Sequence, residues 1–210
     1  MQLQRHSLIW LANAGWQELL PQAPDAPARQ CLGHWAREHL PLVVTRQHGD
    51  ETQLSVGLAM PSRWARRKLA LQVDPRHLLY SGSFPTATDI ATLLPPPSRP
   101  VWRALCAELA ALGLCPRVHG SHGWQKLTGL RYLRATSDVD LHVAVDSEAL
   151  ADRAAARLQA STLPEGPRLD GELLFPDGAA VAWREWLQLR EGRVREVLVK
   201  RLDGVALEAL

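Results

Sequence analysis

Two units of an α/β protein, of the α+β kind, are predicted by three features of this 210-residue sequence. Alternating or β-branched runs crowd its first 90 residues. A proline-rich stretch, "LLPPPSRP" at Leu93–Pro100, follows them. After it, segments of helical period interleave with segments of period two. The prolines predict an extended connector, which sets the units at residues 1–97 and 98–210.

In the first unit, "ARQCLGHWAREHL" (28–40) carries apolar residues at helical spacing. "LPLVVTR" (40–46), "TQLSVGLAM" (52–60) and "KLALQV" (68–73) read as strands, and the turn-rich "QHGDE" (47–51) suits a hairpin between the first two. In the second unit, "RPVWRALCAELAALG" places Trp102, Leu105, Leu109 and Leu112 on one helical face, with Gly113 as a stop. "CPRVHGS" predicts a short strand entering a turn, followed by a short helix over Gly123–Thr128 and a loop. "SDVDLHVAV" predicts a strand. "SEALADRAAARLQA" predicts a helix capped by Ser147. "RLDGELLF" and "AAVAWREWL" predict a strand and a strand or strand–helix, and "RVREVLVKRL" carries an apolar stripe ending at Lys200.

Composition narrows the function classes. The chain is 46% apolar and 22% charged with a net charge of +2, which is ordinary for a soluble globular protein and gives no basis for bulk nucleic-acid binding. Cys31, Cys106 and Cys115 are odd in number and lack metal-like spacing, so a reduced, cytoplasmic chain is expected. The N-terminal apolar run is too short for a signal peptide, and no stretch approaches the roughly 20 apolar residues of a membrane span.

Chemistry concentrates in "GSHGWQKLTGLRYLRATSDVDLHVAV", residues 120–145. In a strand, Asp138 and Asp140 share one face while Val139, Leu141, Val143 and Val145 line the other. Carboxylates whose Cα atoms sit about 6.5–7 Å apart along a strand can converge on divalent cations, and hard oxygen donors favour Mg²⁺. Gly120 and Ser121, between a strand and a helix, offer backbone N–H groups and a hydroxyl to an anion. A phosphate turn beside metal-binding acids describes phosphoryl or nucleotidyl transfer. "RLDGEL" supplies two further acids on one face, Asp170 and Glu172, either of which suits a third carboxylate. Two further patterns stop short of a site: the basic "RWARRK" (Arg63–Lys68) suits an anionic partner or a solvated face, and "SDVDL" lacks the ligand-rich loop of a Ca²⁺ site. His119 and His142 flank the acids and suit structural roles better than Mg²⁺ ligation. The tryptophans other than Trp124 suit core or interface positions.

Gly120-Ser121 followed by Asp138-Val139-Asp140 resembles the signature of the nucleotidyltransferase superfamily, the polymerase β-like fold. The closer resemblance is to the malonate decarboxylase holo-acyl-carrier-protein synthases, or phosphoribosyl-dephospho-CoA transferases. It is carried by "HGSHGWQKLTGLRYLRATSDVDL", "RLDGELLFPDGAAVAWREW", "VLVK", "RHSLIWL" and "LSVGLAMPSRWARRKLAL", which together span nearly the whole chain. His122-Gly123 departs from it, standing where a more apolar pair is expected.

The resemblance implies a nucleotidyltransferase-like mixed-sheet domain behind a small α+β domain that helps bind donor or carrier. It implies Mg²⁺-dependent transfer of 2′-(5″-triphosphoribosyl)-3′-dephospho-CoA to a serine of the acyl-carrier subunit of malonate decarboxylase, releasing pyrophosphate. Asp138 and Asp140 are then the catalytic and metal-holding acids, joined by Asp170 or Glu172. Gly120 and Ser121 hold phosphates, and Lys200 neutralises the triphosphate or lies on the surface. Trp124 stacks on a base or packs in the core, and Gln125 touches substrate or solvent. Two rivals stay open at this point: a nucleotidyltransferase using a nucleoside triphosphate, and a non-catalytic module that binds the carrier.

Overall fold

A computed structural model of the chain describes residues 3–47, 49 and 52–209. It has mixed α and β structure with two separate sheets, an α+β architecture. The described chain falls into two compact units. The first runs up to Phe84 and includes Thr128–Tyr132 and Leu202–Gly204; the second holds Pro85–Leu127, Leu133–Arg201 and the segment from Val205.

The first unit is built on a five-stranded antiparallel sheet: β1 (Leu8–Leu11), β2 (Leu42–Val44), β3 (Leu54–Ala59), β4 (Lys68–Val73) and β5 (Leu78–Gly82), in the order β4-β3-β2-β1-β5. β2 and β3 pair antiparallel, with Val43 opposite Gly57. Of the loop expected to join them, His48, Asp50 and Glu51 lie outside the described residues. β4 alternates exposed and buried along its whole length, the signature of a half-buried strand. The helices are α1 (Asn13–Leu19) and α2 (Ala26–Arg37). The Asp25 side chain caps α2 by accepting from the Ala28 N–H at 2.9 Å. Trp35, Leu32 and Cys31 on α2 are fully buried. β5 escapes the periodicity argument because it is an edge strand with Leu79 and Tyr80 exposed, Tyr80 stacking on Trp10 at 4.8 Å.

The second unit opens differently from the expected extended connector. A 3-10 turn over Ala87–Leu93 starts from a capping box of Thr86 and Asp89. A second, Pro96–Ser98, runs straight into α3 (Arg99–Ala111). Prolines fit there because the first turn of a helical segment leaves its N–H groups unpaired in any case. Ser98 is fully buried, and its hydroxyl donates to the Pro164 carbonyl at 2.5 Å. The other elements are β6 (Arg117–Val118), α4 (Gly120–Thr128), β7 (Val139–Ala144), α5 (Glu148–Ala160), β8 (Leu169–Leu174), β9 (Ala180–Ala182), α6 (Trp183–Arg190), β10 (Val197–Lys200) and β11 (Val205–Glu208). Their sheet has the order β11-β10-β9-β8-β7-β6. β7 and β8, bridged by α5, pair parallel, and the remaining neighbours pair antiparallel. Ser147 caps α5 through the Leu150 N–H. Val139, Leu141 and Val143 of β7 are buried with Trp102, Trp183 and Trp186, leaving the opposite face of β7 for polar side chains.

No helix among the described residues is long and apolar enough to cross a membrane. The three cysteines are free. Burial pushes the Cys31 thiol up to about 12 and the Cys106 thiol up to about 11, whereas Cys115 is exposed. Since the thiolate is the nucleophile, iodoacetamide at pH 8 is expected to label Cys115 alone in the folded protein and all three after unfolding. Peptide mass mapping reads this directly, and rapid native labelling of Cys31 would contradict the packing around α2.

Candidate active site

The parallel pairing of β7 with β8 assembles the acids. Its register sets Asp140 beside Asp170 and His142 beside Glu172. In-register neighbours of a parallel pair project to the same face, and alternation along the strand adds Asp138 to that face. Asp138 directly precedes β7 and Arg168 directly precedes β8, and the Val139 N–H donates to the Arg168 carbonyl at 2.9 Å. The two strand entrances are thus pinned together.

Within this face the two candidate third carboxylates have opposite surroundings. Asp170 is open to solvent; its Oδ1 accepts from the Gly171 N–H at 2.9 Å. Glu172 is buried, and its Oε1 accepts from Lys200 Nζ at 2.7 Å. Lys200, which the sequence offers to the triphosphate or to the surface, is half-buried and paired with Glu172, so the Glu172 charge is already matched. Asp138 and Asp170 instead share Arg168, whose Nη2 donates to Asp138 Oδ2 at 2.9 Å and to Asp170 Oδ2 at 3.3 Å. Sequence reasoning passed over Arg168. Its signal was the period-two run Arg168, Asp170, Glu172, which places a cation on the acidic face.

Helix α4 begins at Gly120, three residues earlier than the sequence predicts, so Gly120 and Ser121 form its first turn. Gly120 has φ +59°, and a Cβ there would lie 1.9 Å from Asp140 Oδ2. Only glycine lets the backbone approach this carboxylate so closely. The His119 N–H donates to the Asp140 carbonyl at 3.0 Å, fixing the start of α4 against β7. Exposed N–H groups at a helix start favour negative charge. The expected phosphate turn and the expected acids are thereby neighbours.

Three other residues of α4 take internal roles. His122 is buried and its Nδ1 lies 3.0 Å from the Asp138 carbonyl. Burial holds the imidazole below its ordinary pKa, so the neutral ring donates Nδ1–H to that carbonyl. The departure noted at His122-Gly123 is thus absorbed by the core, both residues being buried. Trp124 is 4% exposed, a core residue with no open ring face for a base. Gln125 Oε1 accepts from the Leu133 N–H at 3.0 Å, which ties the loop after α4 to the helix. His119 and His142 sit ring edge to ring face, with centroids 6.1 Å apart.

The basic run in the first unit is largely spoken for. Arg63 lies over the Trp64 ring at 3.6 Å, Arg66 donates to the Ser62 hydroxyl at 2.7 Å, and Arg67 pairs with Asp25. Ala65 and Arg66 both have positive φ, at 66° and 51°, so this loop is held in a conformation L residues seldom adopt.

The donor chemistry around Asp138, Asp140 and Asp170 suits a hard divalent cation. Arg168 supplies positive charge where such an ion would neutralise two of the three. Among the described residues no three His, Cys, Asp or Glu side chains are gathered as a ready coordination shell.

Two family models match the chain. The phosphoribosyl-dephospho-CoA transferase MdcG N-terminal domain matches residues 4–83, and the MdcG C-terminal domain matches residues 85–209. A phosphoribosyl-dephospho-CoA transferase of Xanthomonas campestris pv. campestris is 37% identical over 206 residues, covering 97% of this chain and 92% of the relative. One of Bradyrhizobium diazoefficiens is 33% identical, covering 97% and 88%. One of Pseudomonas putida is 30% identical, covering 98% and 93%. No solved structure matches.

Proposed function

The chain belongs to the phosphoribosyl-dephospho-CoA transferase family, and from that premise we propose a specific reaction. The protein transfers 2′-(5″-triphosphoribosyl)-3′-dephospho-CoA to a serine of the apo acyl-carrier subunit of malonate decarboxylase, as a Mg²⁺-dependent nucleotidyltransferase. The observation that carries this reading is the placement of Gly120, at the start of α4, against the Asp140 carboxylate, with Asp138 and Asp170 on the same strand face. A glycine-led helix start beside strand acids also supports a polymerase β-like fold for the second unit.

In this reading the carrier serine Oγ forms a bond to the α-phosphorus of the donor. The bond from that phosphorus to the bridging oxygen breaks, and pyrophosphate leaves with the electron pair. A carboxylate of the Asp138–Asp140 pair accepts the serine proton. The first turn of α4, Gly120 and Ser121, takes the outer phosphates. Asp138, Asp140 and Asp170 would hold Mg²⁺, which would supply positive charge for the attacking and leaving oxygens. The buried Glu172 pairs with the half-buried Lys200, an ion pair that ties β8 to β10. Trp124 and Gln125 shape the site by fixing α4 and the loop behind it. The first unit contributes to donor or carrier binding, with the strained Arg63–Arg67 loop as its most basic feature. The free cysteines support a cytoplasmic setting.

The test is the intact mass of an apo acyl-carrier subunit incubated with this protein, Mg²⁺ and the triphosphoribosyl donor. The expected result is a gain equal to the donor minus pyrophosphate, lost with EDTA. No gain on an authentic carrier, with transfer from a nucleoside triphosphate instead, would replace the donor while keeping the site.

A further inference from the structure

Arg168 holds one oxygen of each of two carboxylates that a metal would use. Its Nη2 is bonded to Oδ2 of both Asp138 and Asp170, two of the three carboxylates assigned above to Mg²⁺. We infer that Arg168 is a built-in competitor for the metal site: a positioning residue that neutralises the acids when no divalent cation is bound and must leave them when one enters. The inference rests on the reading that these aspartates hold Mg²⁺.

Geometry makes the exchange easy. The Arg168 backbone is locked where β7 meets β8, because its carbonyl accepts from the Val139 N–H. Its side chain, by contrast, is 62% exposed. Departure therefore needs only side-chain rotations into solvent, which take nanoseconds or less, and no strand moves. The opposite arrangement stands two residues beyond Asp170, where Glu172 and Lys200 form a mostly buried pair. Breaking that pair would strand a charge inside the sheet. One face thus carries a fixed ion pair and an exchangeable one, and the exchangeable one lies on the acids beside Gly120.

A +1 guanidinium in place of a +2 ion also biases when the metal binds. A cation arriving alone must displace Arg168. A cation arriving with the donor's triphosphate brings anionic groups that offer the displaced guanidinium a new bidentate partner. The competitor thereby favours metal delivered with donor over metal alone.

The experiment measures Mn²⁺ binding to the full chain without donor, by loss of the free-ion EPR signal, with Mg²⁺ as competitor. Arg168→Gln is expected to tighten Mn²⁺ binding about three- to tenfold, the scale of two solvent-exposed charge pairs. Arg168→Lys, which keeps the charge, is expected to stay within about twofold of wild type. Thermal melts in EDTA check that each variant is folded, and the exposed position of Arg168 leaves them close to wild type. If Asp138→Asn abolishes Mn²⁺ binding but Arg168→Gln leaves it unchanged, Arg168 is no competitor and the metal reading stands. If neither Asp138→Asn nor Asp140→Asn weakens Mn²⁺ binding, the metal reading itself falls.

Discussion

Asp138→Asn and Asp140→Asn are each expected to lower transfer to the carrier by about 10³-fold or more while leaving the protein folded. The amide keeps the size of the side chain and removes the charge, so the loss would report chemistry and not shape. For Asp138 stability should barely move. The Asp138–Arg168 pair is exposed on both sides, and such pairs contribute roughly 0–1 kcal/mol. Asp170→Asn should follow the same pattern, since its carboxylate is equally open. Glu172→Gln should not: it leaves the half-buried Lys200 facing a neutral amide, so its main cost is expected in melting temperature. Steady-state transfer rates measured beside thermal melts separate the two classes. Near-normal transfer by Asp140→Asn would overturn the catalytic assignment, whatever the other variants do.

Much of this architecture was legible because local rules and tertiary demands agree. β4 and the core of α2 were readable from period alone, because each presents one face to the core and one to water. The parallel partnership of β7 and β8 was not readable. The sequence marks both as strands, yet nothing local says that Asp140 lies beside Asp170. That register decides which acid is open and which is buried. It follows from the α5 crossover and from packing across the sheet, which are non-local.

Where the structure adds to or departs from the sequence reading, the causes are physical too. Pro95–Pro97 looked like an extended spacer, since prolines forbid helix interiors, but the first turn of a helical segment has no such prohibition. Lys200 reads as a surface or phosphate-facing charge, and the strand pattern alone does not show its pairing with Glu172, which lies far along the chain. Of the two roles the sequence allows Trp124, its burial favours core packing. Spacing marks the acids as ligands, whereas the pairing of Arg168 with Asp138 depends on the non-local register of β7 and β8.

Gly171→Ala is expected to be the most damaging single-methyl change in the second unit. Gly171 sits inside β8, opposite Leu141 of β7, with φ +139°, a region closed to residues with a side chain. A Cβ there would lie 2.1 Å from the Leu141 carbonyl oxygen and 2.7 Å from the Leu141 carbonyl carbon and nitrogen. Those atoms are backbone in the middle of a sheet, so no rotamer change relieves the clash. The strand pair must separate, and it is the pair that carries Asp140 and Asp170. A cost of about 3–5 kcal/mol is expected, which lowers the melting temperature by roughly 10 °C. Transfer activity should fall further than the folded fraction does, because the Gly171 N–H is also the donor that orients Asp170 Oδ1. Gly178→Ala is the control. It too has positive φ, at 83°, but nothing lies within 4 Å of its Cβ position, so only the backbone preference is lost, about 1 kcal/mol. If the two variants melt together, the close approach of β8 to β7 is not what holds these carboxylates in place.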